Sequence, residues 1–196
     1  MQKTIQNLTK AFVGESQARN RYTFYAKVAQ KEGLEQISAI FLETAEQEKT
    51  HAKRLFEHIQ EIKEQMQGQD FSEIKLTEVA VPTVYKTTAE NLNVAITGEY
   101  YEYSEMYPEF AKIAEEENLS KIATRFRAIA KAEEHHEERY KKLLVQLEAG
   151  SIFKKDFEVT WLCRECGYTH IGATPPEKCP SCDHPQAFYQ VKCEDY

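Results

Sequence analysis

The feature that most narrows what this chain can fold into is a repeated contradiction: ionisable residues in the middle of apolar helical stripes. Around the stretch EQEKTHAKRLFEHI, Glu46 to Ile59, the residues Phe41, Ala45, Ala52, Leu55, Ile59 and Ile62 recur at the spacing of one helical face. Glu48 and His51 fall inside that face. The same happens three more times. One stripe runs Ile5, Leu8, Phe12, Glu15, Tyr22, Ala26, Ala29. Another runs Leu92, Ala95, Glu99, Glu102, Met106, Phe110, Ile113. The last runs Ile122, Phe126, Ile129, Glu133, His136, Tyr140, Leu143. A buried, unpaired charge costs several kcal/mol, so five carboxylates cannot share an apolar core unless something neutralises them.

The spacing predicts four long helices, at about Thr4–Lys31, Leu34–Gln67, Thr88–Glu117 and Leu119–Glu148. Gly33 ends the first, GQD at residues 68–70 ends the second, and Gly150 follows the fourth. Pro108 lies inside the third and predicts a local kink. The stretch FSEIKLTEVAVPTVYKT, Phe71 to Thr87, is irregular, is broken by Pro82, and is expected to cross the outside of the molecule. Two short-linked helix pairs joined by one long crossover define a mainly α fold, a ferritin-like four-helix bundle. We assign residues 1–148 to the bundle, 149–157 to a linker and 158–196 to a small module of different character, rich in Cys, Pro and Gly. A piece of about 40 residues rarely folds on a hydrophobic core alone, so a metal staple is expected there.

In the bundle, each E-x-x-H pair, Glu48/His51 and Glu133/His136, spans three residues and so occupies one helical face. Glu48 follows Glu15 by 33 residues and Glu133 follows Glu99 by 34, as in a weak duplication of one helix pair. One Glu from each of two helices, with Glu-x-x-His from each of the other two, is the donor set of a di-metal carboxylate site. Carboxylate and imidazole together suit iron or manganese. Glu102 has no counterpart in the first half, where Ala18 stands, and gives the site one extra carboxylate. Tyr22 and Tyr107 are candidates to hydrogen-bond the carboxylates, with simple space filling the equal alternative. His58 and His135 do not fit the pattern and are expected at the surface or outside the metal shell.

Cys163, Cys166, Cys179 and Cys182 form C-x2-C-x12-C-x2-C, the pattern of a tetrahedral four-thiolate site. Spacing leaves zinc and iron both open. Cys193 lies outside the pattern, with no catalytic role expected. The net charge of −7 argues against a nucleic-acid partner. No run approaches the ~18 apolar residues of a membrane span, so no membrane partner is expected. The first residues, MQKTIQNLTKAF, do not read as a signal peptide, which makes the cytoplasm the expected location.

With both halves read, the chain closely resembles the rubrerythrins. GESQARNRY (Gly14 to Tyr22), EKTHAKRLF (Glu48 to Phe56), GEYYEYSEMYPEFA (Gly98 to Ala111) and AEEHHEERY (Ala132 to Tyr140) look like the four family helices. CRECGY and CPSCDHPQAFY look like the family's rubredoxin module. The resemblance implies that Glu15, Glu48, Glu99, Glu102, Glu133 and His136 ligate two iron ions, with His51 exchanging with Glu102 between redox states. It implies one iron in the four-cysteine site, replaceable by zinc on overexpression. The implied activity is reduction of hydrogen peroxide to water, fed by an external reductase or rubredoxin-type donor, in a head-to-tail homodimer. A ferroxidase, iron-storage or di-iron oxidase protein is the rival reading, and an electron carrier or zinc-stapled interaction module a more distant one. The tail departs from stand-alone rubredoxins in having Asp183 where they usually have Gly, and in a shorter loop between the two C-x-x-C pairs.

Overall fold

A computed structural model describes residues 1–66 and 72–194. The expected end of the second helix at residues 68–70 lies outside the described residues. Helix α1 spans Gln2–Lys31 and α2 spans Glu35–Gln65. They are joined at Gly33, whose φ of 75° is the left-handed conformation that glycine adopts without strain. Leu34 N–H there donates back to the Ala29 carbonyl at 2.9 Å, satisfying one of the last carbonyls of α1.

The second hairpin begins with α3, Thr88–Tyr101. Its first turn is closed by a capping box, in which the Thr87 hydroxyl accepts from Glu90 N–H and the Glu90 carboxylate accepts from Thr87 N–H. The third helix is not continuous. Residues Glu102–Met106 form a π turn, and α4 resumes over Tyr107–Glu116. Pro108 supplies the reason. It has no N–H for the α ladder, and its ring would press on the carbonyl four residues back. The widened turn removes the conflict, and Tyr107 N–H donates to the Glu102 carbonyl, five residues back. Asn118, in the left-handed conformation with φ 61°, turns the chain into α5, Ser120–Glu148.

Between the hairpins the crossover is held at its far end. Tyr25 donates its hydroxyl to the Val84 carbonyl at 2.8 Å, and Asn91 bonds the Lys86 backbone in both directions at 3.0 Å. Among the described residues no helix is long and apolar enough to cross a membrane.

The bundle interior is two apolar clusters rather than one. At one end Leu8, Leu55, Ile62, Tyr107, Phe126 and their neighbours pack together. At the other end Tyr22, Ile37, Phe41, Leu92 and Tyr140 do so. The layer between them carries the glutamates. The C-terminal module is a three-stranded antiparallel sheet in the order β2–β1–β3, from Val159–Cys163, Thr169–Gly172 and Tyr189–Val191. Trp161 and Tyr189 fill its small core, and the Trp161 indole N–H donates to the Gly172 carbonyl at 2.9 Å.

Phe126 joins α5 to α4 through ring contacts with Tyr107 and Phe110, at centroid distances of 5.8 and 5.7 Å. Phe126→Ala is expected to cost about 3–5 kcal/mol in urea unfolding of the metal-free protein; a loss under about 1 kcal/mol would mean the cluster does not hold the hairpin.

Candidate metal centres

The glutamates of the central layer are almost fully buried: Glu15, Glu48 and Glu99 at 1% exposure and Glu133 at 0%. Their arrangement is paired. Glu48 Oε2 lies 3.0 Å from His51 Nδ1, and its Oε1 lies 3.1 Å from His136 Nδ1. Glu133 repeats this, with Oε1 at 2.9 Å from His51 Nδ1 and Oε2 at 2.7 Å from His136 Nδ1. Each of these two carboxylates therefore shares its oxygens between two imidazoles, which is the placement of a bridging ligand. Glu15 Oε2 stands 3.8 Å from His51, and Glu99 Oε2 stands 3.7 Å from His136, one terminal carboxylate for each half. The result is two overlapping four-residue groups: Glu15, Glu48, His51, Glu133 and Glu48, Glu99, Glu133, His136.

The donor chemistry fits two metal ions. Glu15 Oε2 and Glu99 Oε2 are buried without a hydrogen-bond partner, and Glu48 Oε1 and both Glu133 oxygens, equally buried, have only the shared Nδ1 atoms of His51 and His136 within reach. Orphan acceptors this dense are not tolerated in a protein interior unless cations satisfy them. Without metal, protons take over part of that role. Burial, with the Glu48 charge beside it, pushes Glu15 up to about 7. Burial would lower the His136 imidazole, but the carboxylates of Glu133, Glu48 and Glu99 outweigh it and push it up to about 12.

Supporting contacts follow the same pairing. The Tyr22 hydroxyl donates to Glu99 at 2.5 Å, and the Tyr107 hydroxyl donates to Glu15. His136 Nε2 faces Gln47 Oε1 at 2.9 Å, so Nε2 carries the proton there and Nδ1 is left for the metal. Gln47 carries no periodicity signal, because it sits at the border of the α2 stripe. Glu137 is also buried, at 2%, against the Lys141 ammonium, and nothing in the spacing marks it beside the stripe residues. His58 is buried at 4% rather than exposed, and its Nδ1 pairs with Glu61 at 3.0 Å, away from the metal layer. His135 is exposed.

Glu102 lies outside both four-residue groups. It begins the π turn, and its Oε1 lies 3.8 Å from the point a Cβ at Gly14 would occupy. Burial, and then the charges of Glu15 and Glu99, hold its carboxyl well above the usual range. Gly14 is the chain neighbour of Glu15, so this contact sets Glu102 beside the half of the site that His51 serves.

In the small module the four sulfurs converge. Cys163 and Cys182 Sγ are 3.7 Å apart, as are Cys166 and Cys179 Sγ. A tetrahedron with metal–sulfur bonds of about 2.3 Å has edges near 3.75 Å, whereas a disulfide is about 2.05 Å. Burial raises the Cys179 thiol, but the Tyr189 hydroxyl and the N–H groups of Ser181 and Cys182 bring it down to about 6, favouring the thiolate a metal needs. Cys163 and Cys179 are buried, while Cys166 is exposed. Asp183 occupies a left-handed position with φ 63°, a conformation that glycine adopts without strain, and its carboxylate pairs with Lys178 at 2.8 Å.

A ferritin-like di-iron carboxylate bundle joined to a four-cysteine iron domain is the class that this fold and these donor sets define. The sequence model of the rubrerythrin family matches residues 6–144, and that of the rubrerythrin rubredoxin-like domain matches residues 161–190. A protein described as a putative rubrerythrin from Methanocaldococcus jannaschii is 57% identical over 196 residues, covering 100% of this chain and 96% of that one. The rubrerythrin of Nitratidesulfovibrio vulgaris is 43% identical over 190 residues, covering 96% and 94%. Among solved structures, nigerythrin in a partially reduced state superposes with a TM-score of 0.63 at 32% identity, covering 96% of this chain and 86% of that one. The chain belongs to the rubrerythrin family.

Two outcomes follow from the site. Glu15 ionises near 4.5 when unfolded and near 7 in the metal-free fold. Its folded value is raised, so its contribution to the metal-free fold is lost as pH rises through this window, while bound metal takes the proton's place. Calorimetry should therefore find the melting gap between iron-loaded and metal-free protein wider at pH 7.5 than at pH 5, by about 5 °C or more. Gln47→Ala should weaken metal binding about tenfold or more in chelator competition, by freeing the His136 ring.

Proposed function

We propose that the protein is a peroxidase that reduces hydrogen peroxide to water at the dinuclear site, with electrons relayed from the four-cysteine site. The observation that carries this is the coexistence of the two donor sets in one chain: a buried carboxylate–imidazole pair of sites and a converged, partly exposed tetrathiolate. Iron would supply the redox chemistry, the dinuclear pair giving two electrons to one O–O bond and the four-cysteine centre returning them singly. Glu15, Glu48, His51, Glu99, Glu133 and His136 would hold the dinuclear pair, with Glu102 as an alternative donor.

The residues of the chain have separable tasks in this scheme. Glu48 and Glu133 span both halves, so they hold the pair together as its charge changes. Tyr22 and Tyr107 clamp the terminal carboxylates Glu99 and Glu15. His51 and Glu102 approach the Glu15 half from different helices, which suits a ligand exchange on that half. The two apolar clusters keep water out from both ends of the bundle.

The relay also needs outside parties. An external reductase or rubredoxin-type donor would meet the small module at the exposed Cys166 edge. The module packs against the α1–α2 tip, with Ala187 3.7 Å from the point a Cβ at Gly33 would occupy. Glu48 lies 15 residues along the chain from Gly33, or roughly 20 Å of helix. A head-to-tail homodimer, in which a second copy brings its module to the side of the bundle, shortens that path. Exposed Phe24, Leu42, Phe56, Tyr85, Tyr100 and Tyr101 offer apolar surface for it. The setting we propose is the cytoplasm.

The test is optical. The iron-loaded protein is reduced without oxygen, one equivalent of hydrogen peroxide is added, and the ferric-thiolate colour is followed. Colour should return fast, with peroxide consumed, and Glu48→Ala should abolish both. Colour that returns only with dioxygen would point instead to an oxidase.

A further inference from the structure

Tyr189 opens β3 and pairs with Cys163 of β1 across the small sheet. Residues paired across adjacent strands project to the same face, and Trp161 shares that face two residues before Cys163. All three are buried, and with Cys179 they form the core of the module. Tyr189 is 1% exposed, and its hydroxyl oxygen is buried without a hydrogen-bond partner. A buried hydroxyl left unsatisfied is costly, so an acceptor is needed beside it. The Trp161 indole is a donor only, and it is already engaged by the Gly172 carbonyl at 2.9 Å. The other buried side chains of this core are Cys163 and Cys179, both members of the four-thiolate site. A neutral thiol accepts a hydrogen bond weakly, whereas a metal-bound thiolate is an anion and accepts one well. Of the two sulfurs, Cys179 is the one the hydroxyl acts on. Against the effect of burial, Tyr189 leads the groups that bring the Cys179 thiol down, while burial and then the Cys179 sulfur hold Tyr189 well above the usual tyrosine range.

We propose that Tyr189 donates its hydroxyl hydrogen to the Cys179 thiolate of the iron-loaded site and, through that sulfur, raises the reduction potential of the four-cysteine iron. Reduction adds one electron, whose charge is shared between the iron and its four sulfurs. A hydrogen bond to a sulfur stabilises that added negative charge, so it favours the ferrous over the ferric state. Cys179 is buried whereas Cys166 is exposed, so the bond acts from inside the module, where water does not compete for it. The Cys166 edge stays free to meet a donor. Tyr189 is a positioning residue here, since it touches a ligand and not the metal. The inference needs iron in the four-cysteine site and does not depend on whether the protein consumes peroxide.

The test is an optical redox titration of the iron-loaded full chain, followed at its ferric-thiolate band. Tyr189→Phe keeps the ring and removes only the hydroxyl. It should favour the ferric state about tenfold, a fall of about 59 mV for a one-electron couple. The ferric band should also move to longer wavelength, because a sulfur freed of its hydrogen bond gives charge to ferric iron more easily. A tyrosine that only fills space would move neither. A ferric–ferrous equilibrium within about 1.5-fold of the unaltered protein, in a variant that loads its iron, would overturn the proposal. The unaltered protein gives a second reading that does not depend on the variant folding. Loaded with spin-active cadmium, it should show in its NMR spectrum a slowly exchanging Tyr189 hydroxyl proton with scalar coupling to the metal through the sulfur; a hydroxyl proton without that coupling would also overturn the proposal. The expected fall in potential, found in a protein that consumes no peroxide, would support the proposal and remove the peroxidase reading instead.

Discussion

Everything in the bundle is arranged around the sharing of two carboxylates between two imidazoles. Glu48 and Glu133 each face both His51 and His136, and neither can do so unless α2 and α5 are held at a fixed distance and rotation. The apolar clusters on either side set that distance, and the tyrosines they contribute reach into the layer to fix the terminal carboxylates. The cost of interrupting a hydrophobic core with acids is offset best by bound cations, so the fold and its metals are energetically one system. The metal-free protein makes do with protons, and they are a poor substitute as pH rises.

Much of this is legible in the chain. The four helices, the donor residues inside their stripes and the four-cysteine pattern are all properties of spacing, and spacing survives folding unchanged. Glu15, Glu48, Glu99, Glu133 and both histidines announce themselves because an ionisable residue in an apolar stripe must be neutralised by something it meets there. What spacing does not carry depends on distances across the bundle. Gln47 finds His136 from 89 residues away, at the border of a stripe where polar residues are expected anyway. His58 has the sequence context of a surface residue because Glu61, its partner, lies on the solvent side, yet its ring is buried and Glu61 is also held by Lys121 of α5.

The small module illustrates the limit from the other direction. Its four sulfurs fix the geometry, and the rest of the sequence adapts to them. Asp183 takes a left-handed position that glycine would fill without strain, and its pairing with Lys178 accompanies that choice. The departure from stand-alone rubredoxins seen in the sequence removes no ligand, and all four sulfurs stay within reach of one another.

The π turn at Glu102–Met106 has a consequence for how the two halves of the site came to differ. Each hairpin uses a three-residue connection, 32–34 in one and 117–119 in the other, and each places its E-x-x-H glutamate 13 residues after the following helix begins. The lone acids are not equivalent: Glu15 precedes the end of its helix by 16 residues and Glu99 by 17. The extra residue is the one a π turn absorbs, since such a turn is an α-helix with a single insertion. One inserted residue, accommodated without shifting either hairpin, is therefore enough to turn a symmetric duplicated site into one whose halves can hold different roles.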